Sequence, residues 1–319
     1  MHTEFDQPSL QRGRGPLLTA VALGAILLLA LGFRLTGLDW DRGQHLHPDE
    51  RFLTIVETSI SWPSSIDEYF DSTRSPLNPY RYPNISFFVY GTFPLFLVKA
   101  FGTLTGYTNY DTIHLVGRVL SAIFDVGTVL ILFLIARRLF DPRVALLSAL
   151  LGAVSVLSIQ LSHFFTVDTF ATFFVMAALY LTLRIYTDQR WLLFIGLGLV
   201  TGLALASKLS SAFVVLFVIT YLSVRLIRDY LADRRRPRWQ LLVAGLLVSG
   251  LVSALTFRIA QPYAFSGSNI LDFRLAQDFL NAINQQRQIQ EGTYDWPPGI
   301  QWASTLPYLF PLKNIVLWG

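Results

Sequence analysis

The apolar positions of this chain fall into long blocks, and the polar positions gather in the gaps between them. Blocks at 17–33, 113–136, 144–162, 167–186, 191–207, 209–227 and 240–258 carry few charges. Each is close to the roughly 17–25 residues that cross a ~30 Å hydrocarbon core. Lipid offers backbone N–H and C=O groups no partner, so blocks of this length must close their hydrogen bonds internally as helices. The pattern predicts an all-α polytopic membrane protein with about seven transmembrane helices, the first of them uncleaved because no small-residue cleavage site follows it. An eighth stretch, Ile85 to Gly102, is interrupted by Pro94 and Lys99 and follows a loop rich in Pro, Tyr and Asn. We read it as an interfacial or re-entrant helix in the first outer loop, with a further membrane span as the alternative.

The placement of charge orients the blocks. If 85–102 does not span, segments 1–16, 137–143, 184–190 and 225–238 lie on one side and hold 13 of the 25 Lys and Arg residues, including Arg234-Arg235-Arg236. Basic short loops mark the cytoplasmic side. The expected organisation is therefore a cytoplasmic N-terminus (1–16), a transmembrane core (17–258) whose outer loop 36–112 holds interfacial helices, and an extracytoplasmic segment 259–319. That last segment ends in Leu312–Gly319, which reads as the start of a further helix in a truncated chain. The expected location is the plasma membrane, with the functional face outside. Segment 36–112 is acidic, with nine carboxylates against five basic groups.

Composition removes several alternatives. The 319 residues are 53% hydrophobic and 14% charged, with a mean hydropathy of +0.47, whereas soluble domains carry about 25% charged residues. A soluble enzyme is excluded. The basic excess is scattered over cytoplasmic turns, which argues against a nucleic-acid partner. With no cysteine there is no disulfide, thiolate ligand or thiol nucleophile, and neither a Gly-rich phosphate loop nor a zinc-binding His pair at helical spacing is present.

Four groups of residues carry chemistry. His45-Leu46-His47-Pro48-Asp49-Glu50-Arg51 places carboxylates, imidazoles and a cation within a turn or two, enough for a general base, a cation ligand and an anion clamp. The same residues also suit a plain helix start, with Pro at its first position and acids in its first turn. Arg118 and Asp125 lie seven residues apart inside an apolar block, on one helix face. Charges there usually face a partner or a polar cavity, so the pair is either functional or structural. His163 and Asp168 occupy a tight outer turn, where Asp168 also suits a helix start. Lys208 sits between two apolar helices, within reach of a lipid phosphate or simply snorkelling to the interface.

These residues carry a resemblance. His47-Pro48-Asp49-Glu50, the stretch from Tyr82-Pro83-Asn84 to Phe101-Gly102, Arg118-Val119-Leu120-Ser121-Ala122, Arg137-Arg138-Leu139-Phe140, Asp168 and Gly202-Leu203-Ala204 to Lys208 together resemble the polyprenyl-phosphate-dependent glycosyltransferases of the C superfamily. That group includes protein O-mannosyltransferases and the aminoarabinose transferase that modifies lipid A. Gln261-Pro262-Tyr263-Ala264-Phe265 and Trp296 to Ala303 are similar to a branch found in Chloroflexi-type bacteria and archaea. The resemblance implies transfer of a hexose or pentose from a polyprenyl-phosphate carrier to an acceptor (protein, lipid or glycan) on the extracytoplasmic face. It implies Asp49 as base, Glu50 as acceptor positioner, Arg118 and Lys208 around phosphate or carboxylate, and His47, His163 and Asp168 in support. Asp and Glu at such a surface also suit Mg²⁺ or Mn²⁺, although protein cations alone can receive a lipid phosphate, so metal use stays open. A transporter or lipid flippase, with Arg118 and Asp125 along the substrate path, and an inactive membrane fragment are the competing readings.

Overall fold

The computed structural model describes residues 15–85, 87–231, 239–294, 305–306 and 308–318. The Arg234–Arg236 run, the Trp296–Ala303 motif and residues 1–14 lie outside them. The described helices are, in chain order, α1 (Gly15–Leu35), α2 (Pro48–Ser59), α3 (Ile66–Phe70), α4 (Thr92–Thr105), α5 (Tyr110–Leu139), α6 (Pro142–Ala153) and α7 (Val156–Ser162). They continue with α8 (Asp168–Asp188), α9 (Trp191–Ser207), α10 (Phe213–Leu231), α11 (Trp239–Ala260), α12 (Gln277–Glu291) and α13 (Leu309–Trp318). The chain forms two compact units, Met1–Ser61 with Tyr90–Gln261, and Trp62–Val89 with Pro262–Gly319.

The first unit holds the membrane helices. Among the described residues, five segments are long and apolar enough to cross a bilayer, namely α1, α5, α8, Leu209–Arg228 and α11, and the pair α6 and α7 makes a sixth if counted as one. The 144–162 block is thus broken, with α6 and α7 meeting at 53°. The 191–207 block forms α9, whose 17 residues reach about 26 Å at 1.5 Å per residue. Helix α4 starts at Thr92 rather than at residue 85, and its 14 residues cover about 21 Å, too short to span. Pro94 does not interrupt it, because proline in a first turn removes only an N–H that has no helical partner.

Small residues let these helices approach. Ala145, Ala149 and Ala153 recur every fourth position of α6, all fully buried in a cluster with Ala30 of α1 and Val129 and Phe133 of α5. On α9, Gly198 and Gly202 face the α11 backbone, where an added Cβ would lie 2.6 Å from the Ser249 carbonyl and 2.7 Å from that of Ser253. Such small-xxx-small seams replace the hydrophobic drive that is missing between helices in lipid. Ser249 closes the seam by donating to the Phe194 carbonyl at 2.8 Å.

One buried ion pair ties the seam of α1, α5 and α6 together. Arg34 at the end of α1 donates from Nε to Asp125 of α5 at 2.5 Å, and from Nη1 and Nη2 to the carbonyls of Ala153 (2.9 Å) and Gly152 (3.2 Å). Those carbonyls sit where the break between α6 and α7 removes helical donors, so one guanidinium satisfies both the carboxylate and the kink. Asp125 therefore pairs with Arg34, and the alternative of a pair with Arg118 does not form. Seven helical residues are a separation of about 10.5 Å along the axis, too far for one ion pair.

The second unit contains α3, α12 and α13 with short 3₁₀ turns at Pro79–Arg81 and Pro262–Ala264. Ser65 caps α3 by accepting from the Glu68 amide at 3.2 Å, while Glu68 accepts from the Ser64 hydroxyl at 2.7 Å, a reciprocal helix start. The buried Tyr263 hydroxyl lies 2.7 Å from Ser75 Oγ, linking the two chain segments of this unit.

Arg34→Met leaves Asp125 buried without a cation and takes a donor from the Ala153 carbonyl, so it should destabilise the protein by about 3–5 kcal/mol. Arg34→Met combined with Asp125→Leu should recover part of that loss. Unfolding of the purified protein in mild detergent reads both, and a single-variant loss below about 1 kcal/mol would show that the pair is dispensable.

Candidate active site

Helix α2 begins as its sequence dictates. Pro48 supplies a first residue with a fixed φ, Asp49 and Glu50 occupy the first turn, and the His47 ring Nδ1 faces the Glu50 amide at 3.4 Å. The two adjacent carboxylates then part company. Glu50 is fully buried, while Asp49 remains half-buried.

Glu50 is bound on both oxygens. Arg118 of α5 donates from Nε to Oε2 at 2.9 Å and from Nη2 to Oε1 at 2.5 Å, a two-point pair. The Phe165 amide donates to Oε2 at 2.6 Å. Arg118 also donates from Nη2 to Asp41 Oδ2 at 2.9 Å and from Nη1 to the Leu38 carbonyl at 2.5 Å. Its guanidinium lies over the Trp40 ring, 5.7 Å from the centroid. Four of its five N–H groups are thereby engaged and its side chain is not exposed. In this arrangement Arg118 holds carboxylates rather than a lipid phosphate, and Glu50 has no free face for an acceptor or a cation. Burial by itself would raise the Asp41 carboxyl, but hydrogen bonds from Arg118 and the Leu46 amide hold it below the ordinary carboxylate range.

Asp49 belongs to a second, more open group. The Tyr90 hydroxyl is pushed up by burial and by the Asp49 carboxylate, to which it is hydrogen-bonded, and it also feels the charge of Asp168. Asp168 opens α8 and accepts from Lys208 Nζ at 2.6 Å, with both side chains more than a third exposed. The chain sets Tyr90 beside Lys208 through its neighbour. The Gly91 amide donates to the Ser207 carbonyl at 3.0 Å, and a Cβ on Gly91 would lie 1.9 Å from the Ala206 carbonyl oxygen. Only glycine permits that approach. At the following residue, Thr92 Oγ1 meets Gln261 Oε1 at 2.6 Å and the Ala260 carbonyl at 2.7 Å, which anchors the start of α4.

The remaining candidates line the turn between α7 and α8 and the loop that precedes α2. His163 places its ring nitrogens 2.7 Å from the Ile159 carbonyl and 2.9 Å from that of Thr36. His47 packs on Phe164 with centroids 4.3 Å apart. Among the described residues, one trio of donors converges as a metal would require: Asp39, Asp41 and His114 bring ligand atoms within 4.8 Å of one another. Mg²⁺ or Mn²⁺ at the adjacent Asp49 and Glu50 would have to displace Arg118.

The sequence model of the dolichyl-phosphate-mannose-protein mannosyltransferase family matches residues 95–255, half of the chain. The chain belongs to this family. The matched residues include Arg118, Asp168 and Lys208, and begin after α2. No curated protein matches the chain in sequence. Among solved structures it is similar to the S. cerevisiae protein O-mannosyltransferase Pmt1-Pmt2 complex bound to the sugar donor, with a TM-score of 0.60 and 17% identity over 78% of this chain and 35% of that one. It is also similar to the archaeal oligosaccharyltransferase AglB from Archaeoglobus fulgidus in complex with an inhibitory peptide and a dolichol-phosphate (TM-score 0.61, 18% identity, 95% of this chain and 36% of that one). The Archaeoglobus fulgidus oligosaccharyltransferase in complex with Zn and sulfate gives 0.59 and 19%, over 92% and 39%. At these identities the likeness is one of fold, and the chain spans less than two-fifths of each of those proteins. Family and helices together identify a multi-pass membrane protein.

Sequence reasoning did not select Tyr90, Asp41 or His114. Only the Tyr90-Gly91 pair carried a signal, an aromatic and a glycine just before an apolar helix. Glu57, on the far turn of α2, was also passed over. It is fully buried with neither carboxylate oxygen hydrogen-bonded, and burial pushes its carboxyl well above the usual range despite the charge of Lys99, whose ammonium donates to the Glu57 carbonyl at 2.7 Å. A raised folded-state value means that the fold is not penalised below the unfolded value near 4.5 and loses stability as pH climbs toward the folded value. Glu57→Gln should therefore gain on the parent as pH rises from about 5 to 8, read as the difference in melting temperature. A difference that stays flat or shrinks over that range would contradict the raised carboxyl.

Proposed function

We propose that this protein is a membrane glycosyltransferase that moves a sugar from a polyprenyl-phosphate carrier to an acceptor hydroxyl at the extracytoplasmic face, with Asp49 as general base. The observation that carries the reading is the gathering of Asp49, Tyr90, Asp168 and Lys208 where α8 begins and α9 ends, in a chain whose family is described by dolichyl-phosphate-mannose and a protein acceptor. That description favours a hexose over a pentose and a polypeptide hydroxyl over lipid or glycan.

The chemistry balances with these groups. The acceptor oxygen forms a bond to the anomeric carbon as its proton passes to Asp49, which stays half-exposed for that purpose. The bond from the anomeric carbon to the phosphate oxygen breaks on the opposite face, giving inversion. Lys208 receives the developing phosphate charge by exchanging its contact with Asp168. No general acid is needed, since a lipid phosphate leaves as a stable anion. Tyr90 orients Asp49, and the buried Arg118, Glu50 and Asp41 group holds α2 in place.

The lipid tail also has a path. An apolar cleft of about 540 Å³ runs between α9, α10 and α11, lined by Leu205, Val218, Leu246 and Phe257 among others. Leu205 lies in the last turn of α9, three residues before Lys208, which follows the end of that helix, so a hydrocarbon in the cleft would bring its phosphate toward the ammonium. A transporter or flippase would instead need a polar path at mid-membrane. The buried charges of Arg34 and Asp125 are consumed by each other and by the α6 carbonyls.

Transfer of label from a radiolabelled polyprenyl-phosphate sugar in membranes tests the assignment. Asp49→Asn should lower turnover by about 10²- to 10⁴-fold with donor binding retained. Lys208→Ala should weaken donor binding, and Lys208→Arg should keep part of it. Near-normal turnover by the Asn variant removes Asp49 from the mechanism, and unchanged donor affinity in Lys208→Ala removes the phosphate contact.

A further inference from the structure

Next to the Arg118 group lies a set of buried polar atoms that the transfer chemistry does not use. His114, in the second turn of α5, is fully buried, and neither ring nitrogen has a hydrogen-bond partner. His45 is 1% exposed with both ring nitrogens equally unpartnered, and its ring stands 4.4 Å from that of His114 at 71°. Asp41 spends Oδ2 on Arg118 and the Leu46 amide, yet its Oδ1 is buried and unpartnered. Leaving such a group unsatisfied carries the full cost of its desolvation. Here several crowd together, and native structures seldom tolerate that without something between them.

Asp39 completes the arrangement. It is exposed, with Oδ1 accepting from the Gly43 amide at 3.1 Å, and its carboxylate, that of Asp41 and the His114 ring bring one ligand atom each within 4.8 Å of the others. A single cation at their centre would satisfy Asp41 Oδ1 and one His114 nitrogen at once. We propose that Asp39, Asp41 and His114 form a transition-metal site of the zinc class. Mixed imidazole and carboxylate donors select Zn²⁺ and its neighbours, whereas Mg²⁺ and Ca²⁺ take all-oxygen sets. The two carboxylates balance a divalent charge. Arg118, gripping the other oxygen of Asp41, acts as the outer partner that orients a ligand. The ion would pin the 36–47 loop to the outer end of α5, behind Asp49 rather than in contact with the sugar, so the site stands whether or not the transfer reading holds.

The test is metal binding by the purified protein in detergent after dialysis against chelator, using Zn²⁺ in competition with a chromophoric chelator and Co²⁺ as a spectroscopic stand-in. One Zn²⁺ should bind per chain, Mg²⁺ in large excess should not displace it, and Co²⁺ should give the visible bands of a tetrahedral or five-coordinate centre. Asp39→Asn changes an exposed side chain and should leave the fold intact while weakening Zn²⁺ by about 10- to 100-fold, and His114→Gln should weaken it at least as much. Failure to bind Zn²⁺, or equal binding by the parent and Asp39→Asn, overturns the site. Retained affinity in folded His114→Gln does the same, since it would place the ion on other histidines.

Discussion

Arg118 is the residue on which the arrangement of the candidate site depends. A guanidinium inside a membrane protein is costly unless its charge is met and its donors are filled. Here Glu50 meets it with both oxygens, Asp41 meets it from a different loop, and the Leu38 carbonyl and Trp40 ring complete the enclosure. The partners come from two pieces of chain, α2 and the loop after α1, so these and α5 reach one geometry together. Removing either Glu50 or Arg118 leaves the other as a buried charge without its two-point partner. The strength of this contact comes from its enclosure, which sets it apart from a surface pair such as Arg287 with Glu291.

Adjacency in sequence produces division of labour in space. Asp49 and Glu50 share the first turn of α2, but neighbouring helix residues point about 100° apart. When Glu50 turns inward to Arg118, Asp49 must face the open group of Tyr90, Asp168 and Lys208. A fixed inner carboxylate thus aims a free outer one. The same logic runs through Gly91, whose missing side chain lets the backbone before α4 press on the end of α9 and bring Tyr90 and Lys208 to one place.

Much of this was legible in the sequence. The apolar blocks appear as helices because lipid permits nothing else, and the capped start of α2 follows from Pro48, Asp49 and Glu50. Partnerships were less legible. Arg118 was assigned to phosphate or carboxylate, and Asp125 was offered to Arg118, because a helix wheel reports which residues share a face but not which residue of another helix lies opposite. The partner of Asp125 is 91 positions away, and Asp41 is 77 from Arg118. The bend at Val154 was hidden for a related reason, since Arg34, far away in sequence, donates to the carbonyls of Gly152 and Ala153 at the break. His45 and His114 are far apart in sequence and meet only because the loop before α2 folds onto α5.

The central claim is that the pairing of Glu50 with Arg118 builds the surface that presents Asp49. A double-mutant cycle tests it most directly, with Glu50→Gln, Arg118→Met and the double variant compared with the parent for unfolding free energy in detergent. The account predicts that each single variant is severely destabilised, and that the double variant is no worse than either, with a coupling of about 2 kcal/mol or more. Additive losses, with a coupling near zero, would contradict it.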